Sequence, residues 1–95
     1  MSGITLDELY DFLANNHEIE FTYQGYTYSI EPDENDGKFY LIIWQCLETP
    51  KCLFKQEIFN KDDAVPDIDK MLKEPIFEGS SFLNIEKDIH VDTVY

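Results

Sequence analysis

Arginine is absent from this chain of 95 residues, and all seven basic residues are lysine. Guanidinium is the group that grips phosphate and carboxylate through paired hydrogen bonds, so chemistry that depends on an arginine clamp is excluded. Residues 1–37 contain no base of any kind. Cysteine is nearly absent too: Cys46 and Cys52 are the only two, too few for a disulfide scaffold. They are expected to be reduced thiols, although a hairpin loop could bring them face to face. No stretch approaches the roughly 18 apolar residues of a membrane span, and the first 20 residues lack the basic and apolar regions of a secretory leader. The expected location is therefore the cytoplasm. The four glycines, at positions 3, 25, 37 and 79, form neither G-x-G-x-x-G nor G-x-x-x-x-G-K-[ST], so neither tight phosphate-cradling loop is available.

What the chain does have is acid. Twenty acids against seven bases give a net charge of −13, which opposes direct contact with nucleic acid or an anionic membrane, both polyanions. A basic protein is the partner such a surface attracts. Apolar residues at 43% and aromatics at 15% suffice for a core, and the length fits one domain spanning residues 1–95. The charge is unevenly spread. Residues 1–37 hold nine acids, 38–61 hold two glutamates against four lysines, and 62–95 hold nine acids against three lysines. Only the middle segment is net basic.

Local patterns predict an α+β fold. Thr5 and Glu8 have capping-box spacing, Ile4 and Leu9 have hydrophobic-staple spacing, and Leu6, Leu9, Tyr10 and Leu13 then form one helical stripe ended by Asn15-Asn16. From Glu18 to Glu31 the period becomes two. Ile19, Phe21, Tyr23, Tyr26, Tyr28 and Ile30 share one face of a hairpin turned at Gln24-Gly25. Residues 32–37 read as an acidic loop, Lys38–Gln45 as an interior strand, and Leu53–Phe59 as a fourth strand with Lys55 and Glu57 turned from the core. The prediction is an N-terminal helix, a four-stranded antiparallel meander, and a C-terminal helix or helices packed on the sheet. The second helix would run to about Lys73, capped by Asn60 or Asp63, with Val65, Ile68 and Leu72 on one stripe and Pro66 in its first turn. A short helix can start at Ser80 or Ser81. The pairing of His90–Tyr95 is not legible.

No catalytic constellation stands out. His17, His90, Cys46 and Cys52 lack the short paired spacings of a zinc site, and the two histidines read as polar positions at a helix-to-strand junction and on a solvated strand. No cofactor or metal is expected. Paired carboxylates are abundant, yet twenty acids generate such pairs by chance. The candidate recognition residues are instead the acids of the N-terminal segment: Asp7, Asp11, Glu18, Glu20, Glu31, Asp33, Glu34 and Asp36. In a hairpin Glu18 and Glu20 would lie about 6.6–6.8 Å apart on one face, a spacing near that of successive phosphates on a nucleic-acid strand, with Glu31 beside them. Asp7 and Asp11 are like charges one helical turn apart, a mildly unfavourable pair. Solubility alone would also produce an acidic surface. Strand three sets Tyr40, Ile42 and Trp44 opposite to Phe39, Leu41 and Ile43, so Tyr40 and Trp44 are either interface anchors or covered by the C-terminal segment.

The run Glu18-Ile19-Glu20-Phe21-Thr22-Tyr23-Gln24-Gly25-Tyr26-Thr27-Tyr28-Ser29-Ile30, preceded by a short Leu-rich helix, resembles small proteins of Gram-positive phages and mobile elements. In size and charge the chain is similar to phage anti-CRISPR proteins. The resemblance covers about a third of the chain. It implies a host-takeover or anti-defence role in the host cytoplasm and supplies no catalytic residue; charge and carboxylate spacing add the expected form, a non-enzymatic mimic of nucleic acid that blocks a basic nuclease or nucleic-acid-binding effector. The Pro50-Lys51-Cys52 segment and the lysine-bearing middle depart from what a uniform mimic needs. An immunity protein or antitoxin directed at a toxin is the second expectation, and a small enzyme using carboxylates and a histidine the third.

Overall fold

The computed structural model describes residues 1–95, and its secondary structure is α1 (Leu6–Ala14), β1 (Ile19–Tyr23), β2 (Tyr26–Asn35), β3 (Lys38–Gln45), β4 (Lys51–Ile58), α2 (Val65–Leu72), α3 (Phe82–Ile85) and β5 (His90–Val94). All strand pairs are antiparallel, in the spatial order β4-β3-β2-β1-β5. The meander is as predicted, but the sheet has five strands rather than four. His90–Val94 supplies the fifth by pairing with β1, Ile19 opposite Val94.

Local chemistry explains most elements. The Thr5 hydroxyl accepts from the Glu8 amide at 3.1 Å, and the Glu8 carboxylate accepts from the Thr5 amide at 2.9 Å, so both partners of the capping box are made. Gln24 (φ 50°) and Gly25 (φ 80°) are both left-handed, which is the twist-matched two-residue turn of a hairpin. The register Ile19 to Ile30, Phe21 to Tyr28 and Tyr23 to Tyr26 follows from that turn. Asp36 and Gly37 repeat the same conformation between β2 and β3.

That second turn corrects the acidic loop expected over 32–37, because β2 continues through Asn35 and pairs with β3 all the way to Lys38. Pro32 is tolerated in this extension because β1 starts opposite Ile30, so β2 has a neighbour only on the β3 side from there on. A second correction concerns α2, whose N-cap is Ala64 with no side-chain hydrogen bond, rather than Asn60 or Asp63. Ala64 is buried, which rules out a solvated polar cap, and Val65 turns outward while Met71 joins Ile68 and Leu72 on the buried stripe. Asn60 bonds the Asp62 amide instead. Ser81 caps α3 through a reciprocal pair with Asn84.

The core lies on one side of the sheet. Ile19, Phe21, Tyr28, Ile30, Leu41, Ile43, Ile58 and Val91 from the strands join Leu9 and Leu13 of α1, Ile68, Met71 and Leu72 of α2, and Phe82 and Ile85 of α3 in a single cluster. Each fully buried Leu, Ile or Phe side chain contributes about 1.5–3 kcal/mol. Phe21 stacks on Tyr28 at 5.3 Å and meets Phe82 edge-on at 5.4 Å, while Phe77 stands edge-on to Tyr28 at 5.3 Å. The segment between α2 and α3 thus roofs the hairpin. Tyr26, placed on the inner face by its period, lies beyond that roof and is 53% exposed. Ser2 lies against the outer edge of β5, its amide donating to the Ile89 carbonyl and its carbonyl accepting from the Val91 amide.

Candidate protein-interaction surface

Because all three helices serve one side, the other side of the sheet has no helical cover. Strand alternation and register fix what it displays. Tyr40 stands between Asp33 and Glu57, Ile42 between Glu31 and Lys55, and Trp44 between Ser29 and Cys52. Ser29 is in turn opposite Glu20, and Thr27 opposite Thr22. The face is divided: carboxylates gather on β1 and β2, whereas β3 contributes apolar side chains and β4 the opposite charges of Lys55 and Glu57.

Ile42 is only 9% exposed although it stands outside the core cluster, and Tyr40 and Trp44 beside it are half-buried. These three form an apolar strip of their own. The Lys55 ammonium lies 4.1 Å from the centre of the Tyr40 ring, a cation–π contact that secures one end of the strip. At the other end Trp44, Ser29, Glu31, Cys46, Leu47 and Pro50 line an open groove of about 340 Å³.

The acids act on one another. Partial burial, then the charges of Glu31 and Glu20, push the Glu18 carboxyl above the ordinary range. Glu18, Glu20 and Glu31 therefore form one repelling group, with Glu31 receiving a 3.1 Å hydrogen bond from the Ser29 hydroxyl. Burial and the same three carboxylates raise the Cys46 thiol above its ordinary value, against the opposing effect of a hydrogen bond with Ser29. A thiol in that setting is a poor nucleophile. Cys46 and Cys52 are both free and exposed.

The ten predicted recognition residues are not all brought together. Glu18, Glu20, Glu31, Asp33, Tyr40 and Trp44 share the uncovered face. Asp7 and Asp11 sit on α1, in the helical layer behind the sheet. Glu34 lines, together with Asp33 and Tyr40, a cleft of about 190 Å³ that also takes in Leu13, Phe39, Lys61 and Ala64, and Asp36 occupies the exposed turn. The C-terminal segment does not cover Tyr40 and Trp44, because β5 is at the far edge of the sheet with β2 and β1 between it and β3. Sequence reasoning omitted Ser29, Lys55 and Glu57 from this surface; their place in it depends on cross-strand register, for which period two is the only sequence signal.

The histidines lie apart. His17 Nδ1 is 2.7 Å from the Tyr95 carbonyl just before β1, whereas His90 sits opposite Thr22 near the end of β1, bonded to Ser2 Oγ at 2.7 Å. No three of the His, Cys, Asp and Glu side chains converge as a metal-holding group. Comparison with protein-family models, with curated proteins and with solved structures finds no match for this chain.

Proposed function

We propose that this chain is a non-enzymatic inhibitor that binds a basic protein through the uncovered face of its sheet. The partner class is a nuclease or other nucleic-acid-binding effector, and the biological setting an anti-defence role of the anti-CRISPR kind. One observation carries the reading: Glu18, Glu20, Glu31 and Asp33 lie beside an apolar strip in which Tyr40 and Trp44 stay half-exposed around a buried Ile42, with no helix over it. Charge steers the encounter and the aromatic strip supplies the desolvated contact that slows dissociation. The carboxylates occupy the partner's phosphate-binding positions, so inhibition is competitive with nucleic acid.

Purified CRISPR nucleases and other basic nucleases, assayed for cleavage with excess chain, provide the test. Inhibition is expected to weaken with salt and with added nucleic acid, and to be lost in a folded E18K/E20K/E31K variant through slower association. Full inhibition by that variant at low ionic strength sinks the acidic-face reading and leaves the charge as a solubility device.

A further inference from the structure

The two edges of the sheet are treated differently. Ser2 covers the start of β5, exchanging backbone hydrogen bonds with Ile89 and Val91, whereas outside the β3 ladder no backbone group of Lys51–Ile58 is bonded to another backbone group. β4 is therefore an edge eight residues long that no other strand covers, interrupted by a bulge at Leu53 and with the Glu57 carbonyl accepting from the side chain of Gln56. An open edge is a template for another strand, and its side chains decide which strand fits.

Those side chains fit their own reverse. Around Gln56 the order is Phe54-Lys55-Gln56-Glu57-Ile58: a cation on one side, an anion on the other, and an apolar residue beyond each. We propose that β4 pairs antiparallel with β4 of a second copy of this chain, about a two-fold axis through Gln56. In that register Lys55 faces the partner's Glu57 and Glu57 faces the partner's Lys55, both on the uncovered side of the sheet. Phe54 faces the partner's Ile58 on the core side, where Phe54 is half-buried within its own subunit. Directly opposed side chains in such a ladder have Cβ atoms about 4.5–5.5 Å apart, within reach of an ion pair. A two-fold axis makes every contact twice, which is the usual form of a homodimer interface.

Net charge favours this edge over any other part of the molecule. Two copies at −13 repel, but β4 belongs to residues 38–61, the one segment with more lysines than acids. Pairing there keeps the acid-rich β1 and β2 of each copy away from the axis, since β3 and β4 lie between. The product is a continuous ten-stranded sheet with both apolar strips on one side. The competing role for Lys55 is that of a guard that keeps foreign strands off the edge. The two roles predict opposite results.

Sedimentation equilibrium over two decades of protein concentration decides between them. The wild-type chain is expected to dimerise. K55E and E57K, which each place like charges opposite one another twice, should raise the dissociation constant at least about tenfold. The double swap K55E/E57K restores opposite charges across the axis and should bring the constant back to within about threefold of wild type, a rescue that damage to the monomer fold would not give. Circular dichroism verifies that each variant folds. If a variant fails to fold, hydrogen exchange on the wild type takes its place: the amides of Leu53–Ile58 that point to the free edge should exchange more slowly at high protein concentration than at low. A monomeric wild type, a dimer unaffected by either single change, a failed rescue in a folded swap, or exchange independent of concentration overturns the proposal.

Discussion

Tyr10 and Asp69 make the polar contact that joins α1 to α2, with the Tyr10 hydroxyl donating to the Asp69 carboxylate at 2.8 Å. Burial first, then the hydrogen bond and the charge of Asp69, push the Tyr10 phenol up to about 12. Hydrogen bonds from Lys73 and Tyr10 hold the exposed Asp69 carboxyl below its ordinary value. A phenol that ionises less readily folded than unfolded contributes stability that is complete below pH 10.0 and is lost as pH rises toward 12. The carboxyl acts with the opposite sense, its contribution present above pH 3.8 and lost as pH falls through the depressed native value. Tyr10→Phe is accordingly expected to cost about 0.5–1.5 kcal/mol at neutral pH and to remove the Tyr10 share of the alkaline loss, as measured by urea unfolding at a series of pH values. Trp44 gives a second prediction at this scale. Half-buried outside the core, it should cost less than about 2 kcal/mol as Trp44→Ala, whereas Phe21→Ala, fully buried among three other rings, should cost about 3–5 kcal/mol.

Turns and caps govern the elements. Gln24 adopts φ 50° ahead of Gly25, and asparagine is the non-glycine residue best suited to that conformation. Gln24→Asn should stabilise the β1–β2 hairpin by a few tenths to about 1 kcal/mol and, if the hairpin forms early, speed refolding. Thr5→Ala removes one half of the capping box and should cost about 1 kcal/mol, read from the urea midpoint at unchanged slope. Gly3 has a different constraint, since a Cβ there would sit 2.3 Å from the Val91 carbonyl oxygen. Only glycine lets the chain after Ser2 pass so close to β5. The N-terminal cover on that edge depends on this approach.

Charge acts at the scale of the whole molecule. With −13 on 95 residues and Glu18 already raised by burial and by its acidic neighbours, ionisation of the uncovered face opposes folding. A carboxyl raised on folding contributes stability that is full below its unfolded value and declines as pH rises through the native one, so Glu18 favours the fold in mild acid over neutral pH. Added salt should therefore raise Tm at pH 7. E18K/E20K/E31K should reduce that salt dependence and raise low-salt stability, a gain of about 1 kcal/mol corresponding to roughly 4–8 °C in Tm for a domain of this size. Calorimetry at two salt concentrations measures both effects.

The sequence by itself determined what depends on near neighbours: the Thr5 and Glu8 cap, the stripe carrying Leu9 and Leu13, the hairpin register set at Gln24-Gly25, and hence the separation of Glu20 and Glu31 from Phe21 and Ile30. The sharing of one face by Glu18, Glu20 and Glu31 was legible for the same reason, whereas the side of β3 that joins them, and with it the place of Tyr40 and Trp44, depended on the β2–β3 register. What the tertiary structure decided involves partners distant along the chain. Ile19 pairs with Val94, and nothing within His90–Val94 encodes that choice. The run after Pro32 is a strand because Lys38–Leu41 lies alongside to take up its backbone, although its composition is that of a loop. Ala64 stands at the N-cap of α2 with its side chain in the core, where the polar caps the sequence offered would be buried. Asp7 and Asp11 are separated from the other acids because α1 must bury Leu9 and Leu13 against the sheet's inner side. Trp44 is left uncovered because every element able to shield it is committed to that same inner side. Local periodicity assigns a residue to a side of its element; only the assembled layers settle which side meets protein and which meets solvent.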